Sequence, residues 1–410
     1  MIIYFRQNQL CKRLLGFYFL INIIFFSFSN AVTEHELESV VFQSPNLLLN
    51  LEEYNLLNAE YEKEFRFQNP ELKYEKMNID DENPVWTFTQ KIPSLLEWYF
   101  LDASYNSKNK SQEIKNKLAR NFEINNINQI QYELLLLNKR KELLTEQQKI
   151  FDQLISNFKN QYVLEKMSQT ELLNIQIAKI EKSEELLNLE SEIETKKNEL
   201  NIIIGESDIN LYQIAVPAIF FTEDKLNFIL NDEPQLHRLI ESSYQVQIIR
   251  EKSIAEKEFV SSQKAKFFPE FELMYFKKGN ENGYGISLEL PLWGAGDFRS
   301  DIQIARSKQI ITDHEVELTR RETKAAIKNA LFKYIQIIKK KKFFESGLLA
   351  LSQQSYVSSL SNYKTGKIRY TDLLNSLNGF FESQFKYEET KIDLAKLSSE
   401  LKLKYNIVQY

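Results

Sequence analysis

The sequence predicts a mainly α-helical protein with a small β part, in which one structural pattern occurs twice. Three observations support this fold class: few helix-breaking residues, apolar spacings of three and four that continue over many turns, and proline-bounded strand pairs repeated about 200 residues apart. Only 10 Gly and 8 Pro occur among 410 residues. Long uninterrupted helices are therefore favoured over an alternation of short elements.

Residues 1–31 have the pattern of a secretory signal peptide. Basic residues precede an apolar run from Leu14 to Phe28, and small residues follow where cleavage is expected. The alternative is an uncleaved membrane anchor, but the run is shorter than the ~20 residues that a spanning helix needs. The one cysteine, Cys11, lies in this segment, so no disulfide is expected.

Composition and motifs exclude several functional classes. The formal net charge is −5, so there is no basic excess for binding nucleic acid. The three histidines, His35, His237 and His314, lack the spacing of metal ligands. No phosphate-binding loop or nucleophile motif is present. We therefore predict a protein that is not an enzyme and has no metal site or cofactor.

Apolar spacing predicts a long coiled-coil hairpin in the first half of the chain. A helix from about Ala103 to Tyr162 carries one row at alternating intervals of three and four residues. A second helix, from Glu171 to about Ile204, has the same spacing, and the break "VLEKMSQTELL" separates the two. We expect these rows to form the seam of an antiparallel hairpin. The rows are Ile130, Leu134, Leu137, Leu144, Phe151, Ile155, Phe158 and Tyr162, and then Leu173, Ile177, Ile180 and Leu187.

The second half of the chain repeats the first. The stretch "QNPELKYEKM" corresponds to "FFPEFELMYF", "WTFTQKIPSLLEW" to "YGISLELPLWGAG", and "YVLEKMSQTELLNIQ" to "YKTGKIRYTDLLNSL". This alignment matches Tyr162 with Tyr363 and Glu171 with Asp372. We expect a tandem duplication of helix, strand hairpin and helical hairpin.

The strand pairs have one apolar face each. In the second half Phe271, Leu273 and Tyr275 alternate with Glu272 and Met274. Four strands are too few to close a barrel, whereas three chains supply twelve, and a closed barrel is the form in which strands span a bilayer. The alternative is a pair of amphipathic hairpins that cap a soluble helical body.

All three tryptophans, Trp86, Trp98 and Trp293, lie within or beside the strand pairs. Aromatic belts at the two membrane interfaces would place them there. We therefore predict that they are membrane-interface anchors.

These stretches resemble the outer-membrane efflux protein family, the TolC-like proteins. The resemblance rests on the proline-bounded strand pairs, on "SLELPLWGAGDFRSDIQIA", and on "YKTGKIRYTDLL" with its partner "ELLNIQIA". The size and the "NPEL" stretch are closer to the shorter, CzcC-like metal-efflux branch. The resemblance implies a homotrimer whose duplicated antiparallel hairpins form an α-helical tunnel below a twelve-stranded transmembrane β-barrel. It also implies a periplasmic adaptor (membrane fusion protein) and an inner-membrane efflux pump or ABC exporter as partners.

The resemblance also implies roles for the periplasmic tip. In relatives, acids just past the turn narrow the closed pore, so the resemblance assigns the constriction to Asp372, Glu171 and Asn375. Asn375 departs from the family pattern, because relatives often have a second acid at this position. The adaptor-docking tip is then Tyr363, Lys364, Gly366, Lys367, Arg369, Tyr162 and Glu165. The basic residues either pair with the acids or face an acidic surface of the adaptor. Each tip alone also has the features of a solvated helical turn with capping acids.

We expect an exit duct in the outer membrane of a Gram-negative-type cell, in contact with outer-membrane lipid, for tripartite efflux or type I secretion. The alternative is a soluble periplasmic coiled-coil scaffold or adaptor. Metal ions, small molecules and polypeptides all remain candidate substrates.

The predicted organisation has eight segments. They are the signal peptide 1–31, N-terminal helix 32–69, first strand hairpin 70–93, first helical hairpin 94–204, mixed linker 205–233, helix 234–268, second strand hairpin 269–291, and second helical hairpin with the C-terminus 292–410.

Overall fold

A computed structural model describes residues 45–76, 84–163, 168–204, 222–289 and 295–405, together with Ile407. The predicted signal peptide, Glu165 and Trp293 lie outside these residues, as does most of the predicted linker 205–233. Within the described part, the chain is mostly helical and contains one four-stranded antiparallel sheet. The predicted mainly α fold with a small β part is therefore confirmed.

The elements alternate in the order that a duplicated unit predicts. Two compact units are formed, and both draw on each repeat. The helical unit comprises Ile124–Thr222 and Tyr334–Ser399, and the sheet unit comprises Ser44–Glu123, Glu223–Lys333 and Glu400–Tyr410. The elements are α1 (Pro45–Glu64), β1 (Glu71–Glu75), β2 (Val85–Ile92), α2 (Leu95–Val163), α3 (Gln169–Ile204), α4 (Glu223–Asn231), α5 (Glu233–Ser242), α6 (Tyr244–Ala265), β3 (Glu270–Lys278), β4 (Glu281–Glu289), α7 (Ala295–Phe343), a π turn (Phe344–Leu348), α8 (Leu349–Lys364) and α9 (Tyr370–Tyr405).

Two antiparallel helical hairpins make up the helical unit. Along α2 and α3, Arg140 pairs with Glu185 at 2.6 Å and Glu133 with Lys196 at 3.1 Å, so residue numbers rise on one helix as they fall on the other. The second hairpin behaves alike, since Glu345 is bonded by Tyr387 at 2.9 Å and, further along, the ring of Tyr356 stacks on that of Phe380. The predicted antiparallel hairpins are confirmed.

The two predicted apolar rows of the first hairpin differ in solvent exposure. Much of the α2 row is buried, and Phe151 and Phe158 are each 1% exposed. The α3 row is exposed, with Ile180 at 67% and Leu187 at 66%. The prediction that this second row forms the hairpin seam was wrong, because α3 carries two apolar rows and the seam uses the other one: Ile175, Leu189, Ile193 and Leu200.

The sheet of the sheet unit has the strand order β1-β2-β3-β4. The central pair joins the two repeats, since β2 pairs with β3 from Val85 opposite Lys278 to Ile92 opposite Phe271. A two-residue turn connects β3 to β4, and its Gly279 has φ 57°, the positive value that such turns require. Proline lacks the amide hydrogen of a ladder, which explains why Pro70, Pro93 and Pro269 lie just outside the strands.

Aromatic side chains attach α1 and the segment that follows it to α2. Tyr61 of α1 donates a hydrogen bond to Asp102 of α2 at 2.8 Å. Trp98 packs against Phe65 and Phe67, with ring centroids 5.7 and 5.3 Å away. The chain thus places Trp98 on a helix and partly buries it between aromatic rings.

Candidate functional site

The described ends of the two helical hairpins form the tip of the helical unit, which contains most residues that the sequence analysis singled out. In the first hairpin α2 ends at Val163 and α3 begins at Gln169. In the second hairpin α8 ends at Lys364 and α9 begins at Tyr370. Glu165, predicted to belong to the docking surface, lies between the described ends.

Gly366 ends α8 in a Schellman motif. Its N–H donates to the Tyr363 carbonyl at 2.9 Å, and the Lys367 N–H donates to the Asn362 carbonyl at 2.9 Å. Gly366 has φ 74°, while the space where a Cβ would lie is open. The backbone conformation, and not crowding, therefore favours glycine at this position.

The two predicted constriction acids cap the helices that follow the turns. Glu171 Oε2 accepts from the Ser168 N–H at 3.3 Å, and the Glu171 N–H donates to Ser168 Oγ at 3.3 Å, which is a reciprocal capping box. Asp372 Oδ2 accepts from the Arg369 N–H at 3.2 Å. Both acids thus occupy the third helical position of their turn, as the repeat predicts. Asn375, the third predicted residue, is exposed one turn further along α9.

An aromatic cluster lies beneath the turns. Phe158 has its ring centroid 5.1 Å from that of Tyr363 and 5.6 Å from that of Tyr370. Burial, followed by the nearby charge of Glu171, raises the pKa of Tyr363 to about 12. Burial likewise raises the pKa of Tyr370, whose hydroxyl has no hydrogen-bond partner within the described residues. Both phenols therefore remain neutral at physiological pH.

The two repeats differ at the matched tyrosines. Tyr363 is half-buried in the aromatic cluster, whereas its counterpart Tyr162 is 43% exposed. The structure therefore brings Tyr363 into the core of the tip and leaves Tyr162 at the surface.

The basic residues of the second turn are exposed. Lys364, Lys367 and Arg369 form no ion pair with a carboxylate in the described part of the chain. Neither Asp372 nor Glu171 has a cation within salt-bridge distance there. In the single chain, these three charges are therefore available to an external anionic group.

A second candidate feature is the apolar face of the sheet. Cross-strand register places Trp86 opposite Tyr74 at a centroid distance of 4.8 Å, and Trp86 is 44% exposed. Large exposed apolar side chains cover this face on all four strands. They are Leu72, Tyr74, Trp86, Phe88, Phe271, Leu273, Tyr284, Ile286 and Leu288.

The opposite face of the sheet is predominantly polar. Ser287 donates to Glu272 at 2.7 Å across β3 and β4, and Lys73, Thr87, Thr89 and Lys91 lie on the same side. Phe276 is the main exception, and its ring lies across Gly283 on the neighbouring strand, where any side chain would collide with it. The predicted alternation of apolar and polar faces thus describes the sheet.

The described residues contain no group of three or more side chains able to hold a metal ion. None of their helices combines the length and apolarity that a membrane-spanning helix needs. Trp293, the third predicted membrane-interface anchor, lies outside the described residues.

Sequence reasoning missed several residues that shape the tip. The aromatic cluster around Phe158 and Tyr370 was not predicted, although both residues flank the turns at helical spacing. The capping box was detectable, because Ser168 and Glu171 form the S-x-x-E signature of a helix start. The assignment of Glu171, Asp372 and Asn375 to a pore constriction came from the family resemblance alone.

Comparison with known proteins supports the fold. No protein-family model and no curated protein matches the chain. Among solved structures, the chain is similar to CusC, described in relation to transmembrane channel formation, with TM-score 0.72, 12% identity, and coverage of 92% of this chain and 93% of CusC. It is similar to VceC, an outer membrane protein of Vibrio cholerae, with TM-score 0.69, 15% identity, and coverage of 90% of this chain and 95% of VceC.

A third similar structure is the CmeC outer membrane channel of Campylobacter jejuni, with TM-score 0.68, 12% identity, and coverage of 90% of this chain and 84% of CmeC. The likeness extends over nearly the whole length of both chains in each case. The chain therefore has the fold of these outer-membrane channel proteins, and the predicted resemblance is confirmed at the level of the fold.

Proposed function

We propose that this protein is the outer-membrane exit duct of a tripartite efflux or type I secretion system. The observation that carries the proposal is the exposed apolar face of the four-stranded sheet. Nine large apolar side chains on one face would be unfavourable in water, because each gains about 1.5–3 kcal/mol when it is fully buried. A bilayer is the solvent that suits them.

The sheet edges support assembly into a barrel. Within the described sheet, β1 and β4 each pair on one side only, and open edges are not tolerated in hydrocarbon. Three copies joined edge to edge supply twelve strands, with the apolar face toward lipid and the polar face toward the lumen. The outer-membrane location of the protein follows from this arrangement.

Exposed rows on the helical unit support the same assembly. The α3 row, Leu173, Ile177, Ile180 and Leu187, is between 48% and 67% exposed, and α8 exposes Leu351 and Val357. When two different surfaces of one chain join head to tail, the contact closes into a ring if the rotation permits. A homotrimer with α3 of one copy against α8 of the next would bury both rows around a tunnel.

The tip serves as constriction and docking site in this proposal. Three copies bring Asp372 and Glu171 toward one axis, and a ring of acids makes a pore cation-selective; Asn375 adds a neutral polar group. The exposed Lys364, Lys367 and Arg369 contact an acidic surface of a periplasmic adaptor, together with Gly366, Tyr162 and Glu165. The half-buried Tyr363 supports this docking surface from the aromatic cluster beneath it. An inner-membrane pump or ABC exporter supplies the energy, so that conduction through the duct is passive.

Cell fractionation tests this proposal against a soluble periplasmic scaffold. The duct predicts recovery of the full-length protein in the sarkosyl-insoluble outer-membrane fraction. The comparison variant combines Ile286→Glu with Leu288→Glu. These changes remove the lipid preference of β4 and should lower that recovery. Full recovery of the unmodified protein in the soluble periplasm would contradict the proposal.

A further inference from the structure

The apolar face of the sheet changes in chemistry along its strands. Cross-strand register divides this face into rows that run perpendicular to the strands. The two rows nearest the helices pair Phe271 with Leu288 and Leu273 with Ile286. The third row is Leu72, Phe88, Tyr275 and Tyr284, and the row nearest the β3–β4 turn, which we name the turn-end row, is Tyr74, Trp86, Lys277 and Asn282. Hydrocarbon side chains therefore give way to phenol rings and then to a cation and an amide.

Lys277 is the only charged residue on this face of the four described strands. Its side chain is exposed, and so is that of Lys76, which follows β1 directly. Because strand residues alternate between the two faces, Lys76 continues the side of Leu72 and Tyr74. Neither lysine has a carboxylate within salt-bridge distance in the described part of the chain. Both ammonium groups are therefore available to an external anion.

The turn-end row lies at the far end of the sheet from the helices. The strands adjoin helices near the row of Phe271, since β2 ends at Ile92 shortly before α2 and β3 begins shortly after α6. Six residues further along β3, about 20 Å in an extended strand, the chain reaches Lys277. The lipid-facing band of a transmembrane barrel is about 25 Å tall, so the turn-end row falls at its border.

The aromatic residues of the turn-end row agree with a position at a membrane border. The rings of Tyr74 and Trp86 lie edge to face with centroids 4.8 Å apart, and Trp86 is exposed. Tyrosine and tryptophan favour the level of the lipid headgroups. In the proposed duct the helices are periplasmic, and this border therefore belongs to the outer leaflet.

The separation of the two lysines indicates the kind of headgroup that they fit. Lys76 and Lys277 are two strands and two residue positions apart, which corresponds to about 12 Å between their Cα atoms. Each ammonium group is a compact charge on a flexible stem. A disaccharide with a phosphate at each end can reach both lysines, whereas the single phosphate of a phospholipid can reach one. Asn282, opposite Lys277, supplies an amide that can donate to a sugar hydroxyl.

We propose that the turn-end row and Lys76 bind the diphosphorylated glucosamine disaccharide of lipid A, the anchor of lipopolysaccharide. Lys277 pairs with one phosphate and Lys76 with the other, and the acyl chains lie along the rows of Phe88 and Ile286. The inference rests on the proposed duct, which places this face in the outer leaflet.

Native mass spectrometry of the full-length protein, purified in a non-ionic detergent, tests the site. Diphosphorylated lipid A is titrated against the protein, and monophosphorylated lipid A and phosphatidylglycerol are titrated separately. One lysine near an anionic headgroup changes affinity about fivefold. Diphosphorylated lipid A should therefore bind about fivefold more tightly than the monophosphorylated form. Phosphatidylglycerol that binds as tightly as diphosphorylated lipid A would overturn the assignment.

Charge removal on the two faces of β3 supplies matched variants. Lys76→Gln combined with Lys277→Gln should weaken the binding of diphosphorylated lipid A about 25-fold and abolish the preference for the second phosphate. Lys278→Gln removes the same charge at the neighbouring position, on the polar face, and should leave this binding unchanged. Equal affinities in the two variants would overturn the site.

Salt dependence is a second measurement on the same proteins. Attraction between exposed charges is screened by ions, so raising the ammonium acetate concentration should weaken the binding of lipid A to the unmodified protein and to Lys278→Gln. The variant that lacks Lys76 and Lys277 should respond less. An equal response in all three proteins would contradict ionic recognition by these lysines.

The duct and the lipid site can fail separately. Lysine-dependent binding of lipid A by a protein that forms no conducting pore would reject the duct and support the site. A conducting pore whose lipid A binding is the same in both lysine variants would support the duct and reject the site.

Discussion

The acids at the tip allow charge and capping to be separated by substitution. Glu171 and Asp372 each accept a backbone hydrogen bond from the first residue of their turn, at 3.3 and 3.2 Å. Changing both to Ala removes the acceptors together with the charges. Changing them to Gln and Asn removes the charges and keeps an acceptor of similar reach. The second pair is therefore the direct test of a charged constriction.

The magnitudes follow from helix capping. Loss of a cap acceptor costs about 1 kcal/mol, which raises the local opening of the first turn of α3 or α9 about fivefold per site. The amide pair retains the hydrogen bonds and loses only the interaction with the helix dipole, about 0.3–1 kcal/mol at an exposed site. The alanine pair should therefore exchange amide hydrogens faster at Ser168 and Arg369 than the amide pair does.

Conductance in planar bilayers reports the charge directly. If the carboxylates form the constriction, Glu171→Gln with Asp372→Asn should reduce the preference for cations, with amide exchange at the tip close to that of the unmodified protein. The alanine pair should show reduced preference and faster exchange. An amide pair that keeps the full cation preference would refute the charged constriction, and unchanged exchange in the alanine pair would refute the capping role.

Three further predictions concern the sheet, the turn and the exposed row. Ile286→Arg places a charge on the apolar face at a cost of about 2–4 kcal/mol near the bilayer midplane, and should lower the yield of assembled protein. Ser287→Arg on the polar face gains Glu272 as a partner and should assemble normally. Equal yields of the two variants would contradict the assignment of the faces. Gly366→Ala forces a side chain into positive φ and should destabilise the tip by about 1 kcal/mol, measured by amide exchange, and unaltered exchange would exclude that strain. Ile180→Glu on the exposed α3 row should shift the protein from trimer toward monomer in sedimentation with its helical content retained, and an unshifted trimer would show that this row lies outside the subunit contact.

The order of elements was predictable from the sequence because each depends on local patterns. Proline marks the ends of the strands regardless of their partners, as Pro70, Pro93 and Pro269 show. The alternation along β3 and β4 also determines the two faces of the sheet without knowledge of the rest of the fold. The spacing of three and four residues is a local property of a helix, and it predicted the buried positions Phe151 and Phe158.

Tertiary context decided the features that the sequence did not predict. Helix α3 has two apolar rows, and periodicity cannot tell which of them faces α2, so the row of Ile177 and Ile180 was assigned to the wrong side. Trp98 lies in the predicted helical segment 94–204, but its contacts with Phe65 and Phe67 could not be predicted from the sequence.

The π turn illustrates a second limit of pattern reading. Its residues Phe344–Leu348 contain only one helix-weakening position, Gly347, and the apolar spacing on either side remains helical. A change of one residue in the hydrogen-bonding pattern therefore leaves little trace in a search for repeats. The second repeat runs 72 residues from Pro291 to Tyr363 where the first runs 69 from Pro93 to Tyr162, and this surplus indicates inserted residues without locating them.

Native mass spectrometry of the protein extracted from membranes with detergent is the most direct test of the duct. In the proposed duct, neighbouring copies cover the open edges of β1 and β4 and the exposed α3 row, so one dominant species with three times the mass of a single processed chain is expected. A monomer that keeps its full β-sheet signal in circular dichroism, or a species with any other number of copies, would contradict the twelve-stranded trimeric duct.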